Sequence, residues 1–337
     1  MRAELPTTCH SVRLAARPDK ALGPEHFELV EGPVPVPGPG RLLVRNRMMA
    51  VTAAMRSLMA EDCPLPMPGF AVGETMRSPT VGEIVDPGDT GLQPGGLVKH
   101  RAGWREFAVL EPGEATPLNV ADLPDPAAHL SQAFAAWVAV TRGAQVRAGD
   151  QVFIAGAAGG VGVLAGQFAR LRGATRVVGS AGSRQKADFL VKELGYDAVV
   201  LRGEGEGTFE ERLSAQLPEG IDATVDSVGG DQLRAALSLA RRGARVSVFG
   251  TLAEQAGGAA LTGIDTAALI GKGITLRGTL VHDHTDVVPE YEAAFGAGLR
   301  DGSLAFPHVR YTGIENAPLA LRELLAGIHT GSVLVEL

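Results

Sequence analysis

The stretch Val152-Phe-Ile-Ala-Gly-Ala-Ala-Gly-Gly-Val-Gly162 decides the fold of this 337-residue chain. It joins an apolar run typical of a buried β-strand to three glycines spaced three residues apart, and the helical stretch 161–172 follows at once. Glycine permits a tight turn and lets a pyrophosphate approach the backbone, while the helix N-terminus offers unpaired N–H groups. The alternative is a glycine-rich turn that binds nothing. We expect a dinucleotide site that includes Gly156, Ala158, Gly159, Gly160, Val161 and Gly162.

The sequence around this loop alternates between apolar, strand-like runs and helical stretches. The predicted strands are 152–155, 176–180, 198–201, 223–226 and 245–249, and the predicted helices are 129–142, 161–172, 184–194, 209–216 and 231–240. Buried strands that alternate with helices of about ten residues are typical of βαβ units on a parallel sheet. The sequence therefore predicts an α/β fold with a doubly wound parallel sheet of the Rossmann type.

The segments on either side have a different character. Residues 1–124 are rich in Pro and Gly and hold short β-type runs at 41–45, 81–85 and 105–110, which is typical of a mostly-β domain. Near the other end, 314–328 is predicted as a helix. The terminal run 332–337 is predicted as a strand that returns to the sheet of the first domain.

Composition excludes several classes of function. The net charge is −7, aromatic residues make up 5% of the chain, and no basic run exceeds Arg241–Arg242, so neither nucleic acid nor an anionic membrane is a favoured partner. Two cysteines exclude a disulfide framework and a four-cysteine zinc lobe. The N-terminus does not resemble a signal peptide, and no run has the roughly 18 apolar residues of a membrane span. We expect a soluble, cytoplasmic protein with a small-molecule substrate.

The residues after the second strand indicate which dinucleotide binds. NAD(H) favours an acid about 20 residues beyond the glycine loop, but no acid occurs between Arg176 and Asp188. Gly182, Ser183, Arg184 and Lys186 lie there instead, and Arg202 follows the third strand. Cations and hydroxyls suit a 2′-phosphate, so the sequence predicts NADP(H). The alternatives are that Arg184 and Lys186 open a solvated helix and that Arg202 is a plain surface residue.

The chain resembles the zinc-independent members of the medium-chain dehydrogenase/reductase superfamily, and within it the leukotriene hydroxydehydrogenase/prostaglandin reductase and curcumin-reductase-like group. The stretches that carry the resemblance are 48–59, 103–107, 153–167, 179–186, 222–230, 246–250 and 331–335. The resemblance implies a GroES-like catalytic domain formed by residues 1–124 and 301–337, with the Rossmann domain 125–300 inserted between them. It also implies NADPH-dependent reduction of activated C=C bonds, a phosphate-binding role for Lys186, and a homodimer.

The sequence predicts no metal site. Zinc-dependent relatives place a His between the counterparts of Gly73 and Glu74, and this chain lacks it. Cys63 has no partner at metal-ligand spacing, and His100 has no thiol near it in sequence. We therefore expect Cys9 and Cys63 to be ordinary residues. Hydrogen bonds alone would then polarise the substrate carbonyl.

The chain lacks two tyrosines of the group that are expected to stabilise or protonate an enolate. The group usually has a Tyr just before the counterpart of Met55, where this chain has Ala54, and another Tyr beyond the fifth strand, where this chain has Gly250–Gln255. Other groups must then stabilise an enolate and protonate it. Arg56, His282 and His284 are the candidates, since imidazole titrates near neutral pH. The alternatives are a structural ion pair for Arg56 and a solvated turn for the 282–284 segment. Gly250 is a further candidate for cofactor binding.

The leading hypothesis is a metal-free NADPH-dependent reductase that transfers hydride to the β-carbon of an enone, enal or enoyl compound. One alternative is an NADPH quinone oxidoreductase. Another is an NADPH-binding protein in which the chemistry is lost or altered, because both group tyrosines are absent.

Overall fold

The computed structural model describes residues 5–19, 21–63, 65–119, 123–252 and 263–337. Its chain divides into two compact units. The first comprises the chain up to Ser131 together with His308–Ile328 and Ser332–Leu337, and the second comprises Gln132–Pro307 and His329–Gly331.

Fifteen strands are described. They are β1 Thr8–Leu14, β2 Phe27–Pro33, β3 Leu42–Val51, β4 Thr80–Asp86, β5 Leu97–His100, β6 Phe107–Leu110, β7 Thr116–Pro117, β8 Gln151–Ala155, β9 Arg176–Ala181, β10 Ala198–Leu201, β11 Ile221–Asp226, β12 Ala240–Val248, β13 Thr275–Gly278, β14 His308–Thr312 and β15 Ser332–Glu336.

The described α-helices are α1 Ala54–Leu58, α2 Ala133–Val138, α3 Gly162–Leu171, α4 Arg184–Leu194, α5 Phe209–Gln216, α6 Gly230–Ser238, α7 Thr266–Lys272, α8 Val288–Asp301 and α9 Ala317–Leu325. Within the described residues, no helix is both long enough and apolar enough to cross a membrane.

The second unit is built on a six-stranded parallel sheet with the order β10-β9-β8-β11-β12-β13. This order is the Rossmann order, in which the chain winds outward from β8 on one side and then resumes beside it at β11. Strand β8 is buried along its whole length, which explains its continuous apolar sequence. The parallel doubly wound sheet predicted from the sequence is confirmed.

The first unit contains a seven-stranded sheet with the order β14-β15-β3-β4-β5-β7, and β6 also pairs with β3. Strand β15 pairs antiparallel with β3, from Val333 opposite Val51 to Glu336 opposite Met48. The predicted return of the terminal strand to the first sheet is therefore confirmed. The ten-residue β3 pairs with β15 along one part and with β6 along another.

Each unit has its own apolar core. In the first unit, α1 and α9 pack with the sheet around Trp104, which is fully buried and stacks on Phe27 at 5.9 Å between ring centroids. In the second unit, Trp137 of α2 meets Phe168 of α3 edge-on at 5.1 Å. Tyr291 is also buried there and stacks on Phe295. Burial of such rings is a large favourable contribution to folding.

The prediction of one continuous helix over residues 129–142 is wrong. A 3₁₀ turn, Pro126–Leu130, comes first, Ser131 is extended, and α2 begins only at Ala133. A π-helical turn, Ala139–Gly143, follows α2. A Cβ on Gly143 would collide with the side chains of Ser247 and Thr279, so tertiary packing shapes this turn. The predicted helix 314–328 is also shorter, because a 3₁₀ turn precedes α9, which has Pro318 in its first turn.

Candidate functional site

The predicted cofactor residues lie at one edge of the parallel sheet. Because β8 to β12 run in the same direction, their carboxyl ends meet there, and open α/β sheets bind ligands at that edge. The glycine loop 156–161 follows β8, the 182–186 segment follows β9, Arg202 follows β10, and Gly250 lies two residues after β12. The structure thus brings together all twelve residues that the sequence predicted for the cofactor.

Glycine occupies the loop positions 156, 159 and 162 for different structural reasons. Gly156 has φ +69°, a left-handed conformation that favours glycine. A Cβ on Gly162 would lie 2.5 Å from the Cα of Ala157, so helix α3 starts in direct contact with the turn. A Cβ on Gly159 would meet only the carbonyl oxygen of Gly156, at 3.4 Å. Gly156 and Gly162 therefore shape the loop, and Gly159 leaves it open to a ligand.

The loop is held on two sides by hydrogen bonds. The N–H groups of Gly156 and Ala157 donate to the side-chain and main-chain oxygens of Ser180 in β9, both at 2.9 Å. On the other side, the N–H of Gly331 donates to the carbonyl of Ala158 at 2.9 Å. The hydrogen bonds of the described residues do not include one from the N–H groups of Gly160, Val161 or Gly162. These three groups begin a ten-residue helix, where an anion is favoured.

Helix α4 begins at the segment predicted to hold the 2′-phosphate. Ser183 is its N-cap, and the hydroxyl accepts from the N–H of Lys186 at 3.4 Å. Arg202 lies close to this turn, because a Cβ on Gly182 would be 3.0 Å from its Nη2 atom. Burial, followed by the charge of Arg202, lowers the pKa of Lys186 from its usual value. Arg184 is exposed in the first turn of the same helix.

The positive charges at this turn favour an anionic ligand. Two neighbouring like charges repel each other, and cations are disfavoured at a helix N-terminus. A phosphate that approached Lys186 and Arg202 would offset both the repulsion between their charges and the unfavourable position of a cation near the helix N-terminus.

Gly250 packs against the carboxyl end of β11. A Cβ there would lie 2.8 Å from the carbonyl oxygen of Ser227. Asp226 just before it is buried, and its Oδ1 accepts from the N–H groups of Val228 and Gly229. Burial raises the pKa of Asp226, although these two hydrogen bonds oppose the shift. The Ser227–Gly230 turn therefore has a fixed shape. Of the Gly250–Gln255 stretch, where a tyrosine was expected from the group, residues 253–255 lie outside the described residues.

Arg56 belongs to the first unit. It lies on the short helix α1 and is half-buried, and its Nη2 donates to the carbonyl oxygen of Pro18 at 2.9 Å. The neighbouring residues Met55, Ser57 and Leu58 are buried. The guanidinium is thus held by the protein, with part of its surface exposed.

His282 and His284 lie in a 3₁₀ segment, Val281–Val287, in the second unit. The backbone of the 282–284 segment therefore turns, as in the solvated-turn alternative. The chain turns shortly after β13, and Asp286 forms an exposed ion pair with Arg142 at 2.7 Å. His282 is exposed and His284 is half-buried.

The described residues contain no group of three or more His, Cys, Asp or Glu side chains that could hold a metal ion. Cys9 and Cys63 are free thiols of intermediate exposure. Metal independence stays a prediction.

Three residues near the loop were not predicted from the sequence as site residues. Ser180 and Gln232 are buried and hydrogen bonded to each other, and the Tyr196 hydroxyl donates to the carbonyl of Gly162 at 2.7 Å. The Tyr196 ring fits against Gly166 and Gly179, where a Cβ would collide with it. A polar residue inside an apolar strand is the signal that could have identified Ser180, because buried polar groups need partners.

Comparison with known proteins identifies the family. Residues 160–295 match the family model of zinc-binding dehydrogenases, and residues 10–118 match that of the N-terminal domain of oxidoreductases. The chain is 29% identical to the NADPH-dependent curcumin reductase of Escherichia coli, over 96% of this chain and 95% of that protein. The chain belongs to the medium-chain dehydrogenase/reductase superfamily.

Other members of the superfamily are similar over most of their length. The 2-alkenal reductase (NADP(+)-dependent) of Nicotiana tabacum is 29% identical over 88% of both chains. The crystal structure of CurA from Vibrio vulnificus in complex with NADPH superimposes with a TM-score of 0.89 and 28% identity, and covers 97% of this chain and 98% of that one. The predicted family resemblance and the predicted fold class are confirmed.

Proposed function

We propose that the chain is an NADPH-dependent oxidoreductase that reduces activated carbon–carbon double bonds in α,β-unsaturated carbonyl or enoyl compounds. The observation that carries the proposal is the pairing of an open glycine loop with a cationic turn at the same sheet edge. The relatives whose names specify NADPH and alkenal or curcumin reduction support it.

The described residues fit the cofactor at both of its charged groups. The N–H groups of Gly160, Val161 and Gly162 would hold the pyrophosphate at the start of α3. Lys186, Arg202, Arg184 and the Ser183 hydroxyl would hold the 2′-phosphate. The half-buried Lys186 is the strongest of these, because a partly desolvated cation gains most from a new anionic partner.

NADPH, when bound, would supply the hydride for the β-carbon of the substrate. The protein's own residues would bind the acceptor, stabilise the enolate oxygen and deliver a proton to the α-carbon. We assign enolate stabilisation to Arg56 or to backbone N–H groups, and protonation to His282, His284 or water. The proposal includes no metal ion, so hydrogen bonds alone would polarise the carbonyl. It also includes a homodimer and a cytoplasmic location.

The test is NADPH oxidation by the purified protein with enones, enals, enoyl thioesters and quinones, followed by mass spectrometry of the products. We expect enones or enals to gain one H₂, and NADPH deuterated at C4 to place deuterium on the β-carbon. Removal of divalent metals with a chelator should leave the rate unchanged. His282→Gln and His284→Gln, each assayed at saturating NADPH, would show which imidazole supports protonation.

Two outcomes would contradict the proposal. Turnover of quinones alone would assign the protein to the quinone reductases. Saturable NADPH binding without turnover of any acceptor would indicate a binding protein whose chemistry is lost or altered.

A further inference from the structure

Ser180 occupies an unusual place for a hydroxyl. It lies in β9, one residue before the end of the strand, and is fully buried. Its Oγ accepts a hydrogen bond from the N–H of Gly156, the first glycine of the loop, at 2.9 Å. It also lies 2.5 Å from Oε1 of Gln232, which is on α6 and is only 6% exposed.

The direction of each hydrogen bond follows from the chemistry of the groups. A backbone N–H can only donate, so the Ser180 oxygen accepts from Gly156. The single hydroxyl proton of Ser180 is then available for Gln232, which must turn its amide oxygen towards the serine. The loop, β9 and α6 are thereby joined through one buried hydroxyl.

Ser180 also determines which backbone groups of the loop stay available. The N–H groups of Gly156 and Ala157 both donate to Ser180, to Oγ and to the carbonyl oxygen, and the N–H of Gly159 donates to the carbonyl of Gly156 at 3.0 Å. The first part of the loop is therefore bound inward to the protein. The hydrogen bonds of the described residues do not use the N–H groups of Ala158, Gly160, Val161 and Gly162, and the last three begin helix α3, where a pyrophosphate is favoured.

We infer that Ser180, held in orientation by Gln232, is a positioning residue that presets the glycine loop for the pyrophosphate of the dinucleotide. This inference rests on the proposed function. It adds a residue that affects the binding of NADPH and of NADH alike. Both cofactors carry the same pyrophosphate, whereas the 2′-phosphate that Lys186 would bind is confined to NADPH.

The experiment compares Ser180→Ala with the wild-type protein in binding and in steady-state kinetics. Loss of the hydroxyl removes the acceptor of the Gly156 N–H and leaves the buried amide oxygen of Gln232 unsatisfied, so the loop must be ordered when the ligand binds. We expect the Kd of NADPH and that of NADH to rise by the same factor, about tenfold. The KM for NADPH should rise with them, while kcat at saturating NADPH stays unchanged. Amide hydrogen exchange at Gly156 should become faster.

Ser247→Ala is the matched control. Ser247 is also fully buried in a strand of the same sheet, but its hydroxyl bonds to Thr279 at 2.8 Å and not to the loop. This variant should lose a comparable amount of stability without a change in cofactor Kd. Gln232→Met keeps the serine and removes its acceptor, so we expect a smaller rise in both Kd values. If Ser180→Ala does not fold, Gln232→Met tests the inference in its place.

Three results would overturn the inference while leaving the proposed function intact. The first is an unchanged cofactor Kd in both Ser180→Ala and Gln232→Met. The second is a rise in the Kd of NADPH without a rise in that of NADH. The third is an equal rise in cofactor Kd in Ser247→Ala. Failure of the wild-type protein to bind NADPH at all would instead contradict the proposed function itself.

Discussion

At the scale of single residues, the two cations in the first turn of α4 should determine the choice of cofactor. We expect Arg184→Ala/Lys186→Ala to weaken NADPH binding by tenfold or more and to leave NADH binding nearly unchanged, because charge-assisted hydrogen bonds are worth roughly 1.5–3 kcal/mol each. Isothermal titration with both cofactors measures the ratio. Lys192→Ala removes a cation from the last turn of the same helix and is the control. An unchanged NADPH-to-NADH ratio would mean that the phosphate binds elsewhere.

These residues also show how far a sequence identifies a site. The role of Lys186 could be predicted from the sequence, because a missing acid and a cation at a helix start are both local signals. A hydroxyl inside an apolar strand marks Ser180 in the sequence, but its role could not be predicted, because its partners Gly156 and Gln232 lie 24 and 52 residues away in the chain. The Arg142–Asp286 ion pair beside the turn of His282 and His284 could not be predicted either, since its two residues lie 144 positions apart in the chain.

At the scale of elements, the start of α3 should tolerate an added methyl group at one glycine and not at the other. Gly162→Ala would place Cβ against the Ala157 backbone, so the helix or the turn must shift. We expect a loss of roughly 2–3 kcal/mol in unfolding free energy, as for overpacked sites. Gly159→Ala, with one ordinary contact at 3.4 Å, should change it by less than about 1 kcal/mol. Urea unfolding without cofactor measures both, and equal losses would contradict this account.

The predicted elements agree with the structure where local signals are complete. Helix α4 spans Arg184–Leu194 as predicted, because Ser183 caps its start and Gly195, at φ +69°, ends it. Strand β10 and helix α5 also have their predicted bounds. Around α2 the local signal is incomplete, because the π-helical turn depends on contacts between Gly143 and residues more than a hundred positions later.

At the scale of the whole molecule, the two units should respond differently to acid. His100 in the first unit is buried, and its Nδ1 accepts from the N–H of Ala102 at 3.1 Å. Protonation would break this bond and place a charge inside the unit. Burial and, secondarily, the charge of Arg105 therefore lower the pKa of His100 from 6.5 to about 4. Because the unfolded chain binds this proton more readily, stability is lost as the pH falls from about 6.5 towards 4, by up to roughly 3 kcal/mol.

The two tryptophans allow this prediction to be tested unit by unit, because Trp104 lies in the first unit and Trp137 in the second. Urea unfolding followed by fluorescence in a Trp137→Phe background reports on the first unit, and Trp104→Phe reports on the second. In His100→Asn, an amide oxygen can still accept from Ala102 but does not titrate. We expect this substitution to reduce the loss of first-unit stability between pH 7 and pH 4.5, without changing the pH response reported by Trp137. An undiminished acid response of Trp104 in His100→Asn would show that other groups, and not this imidazole, make the first unit sensitive to acid.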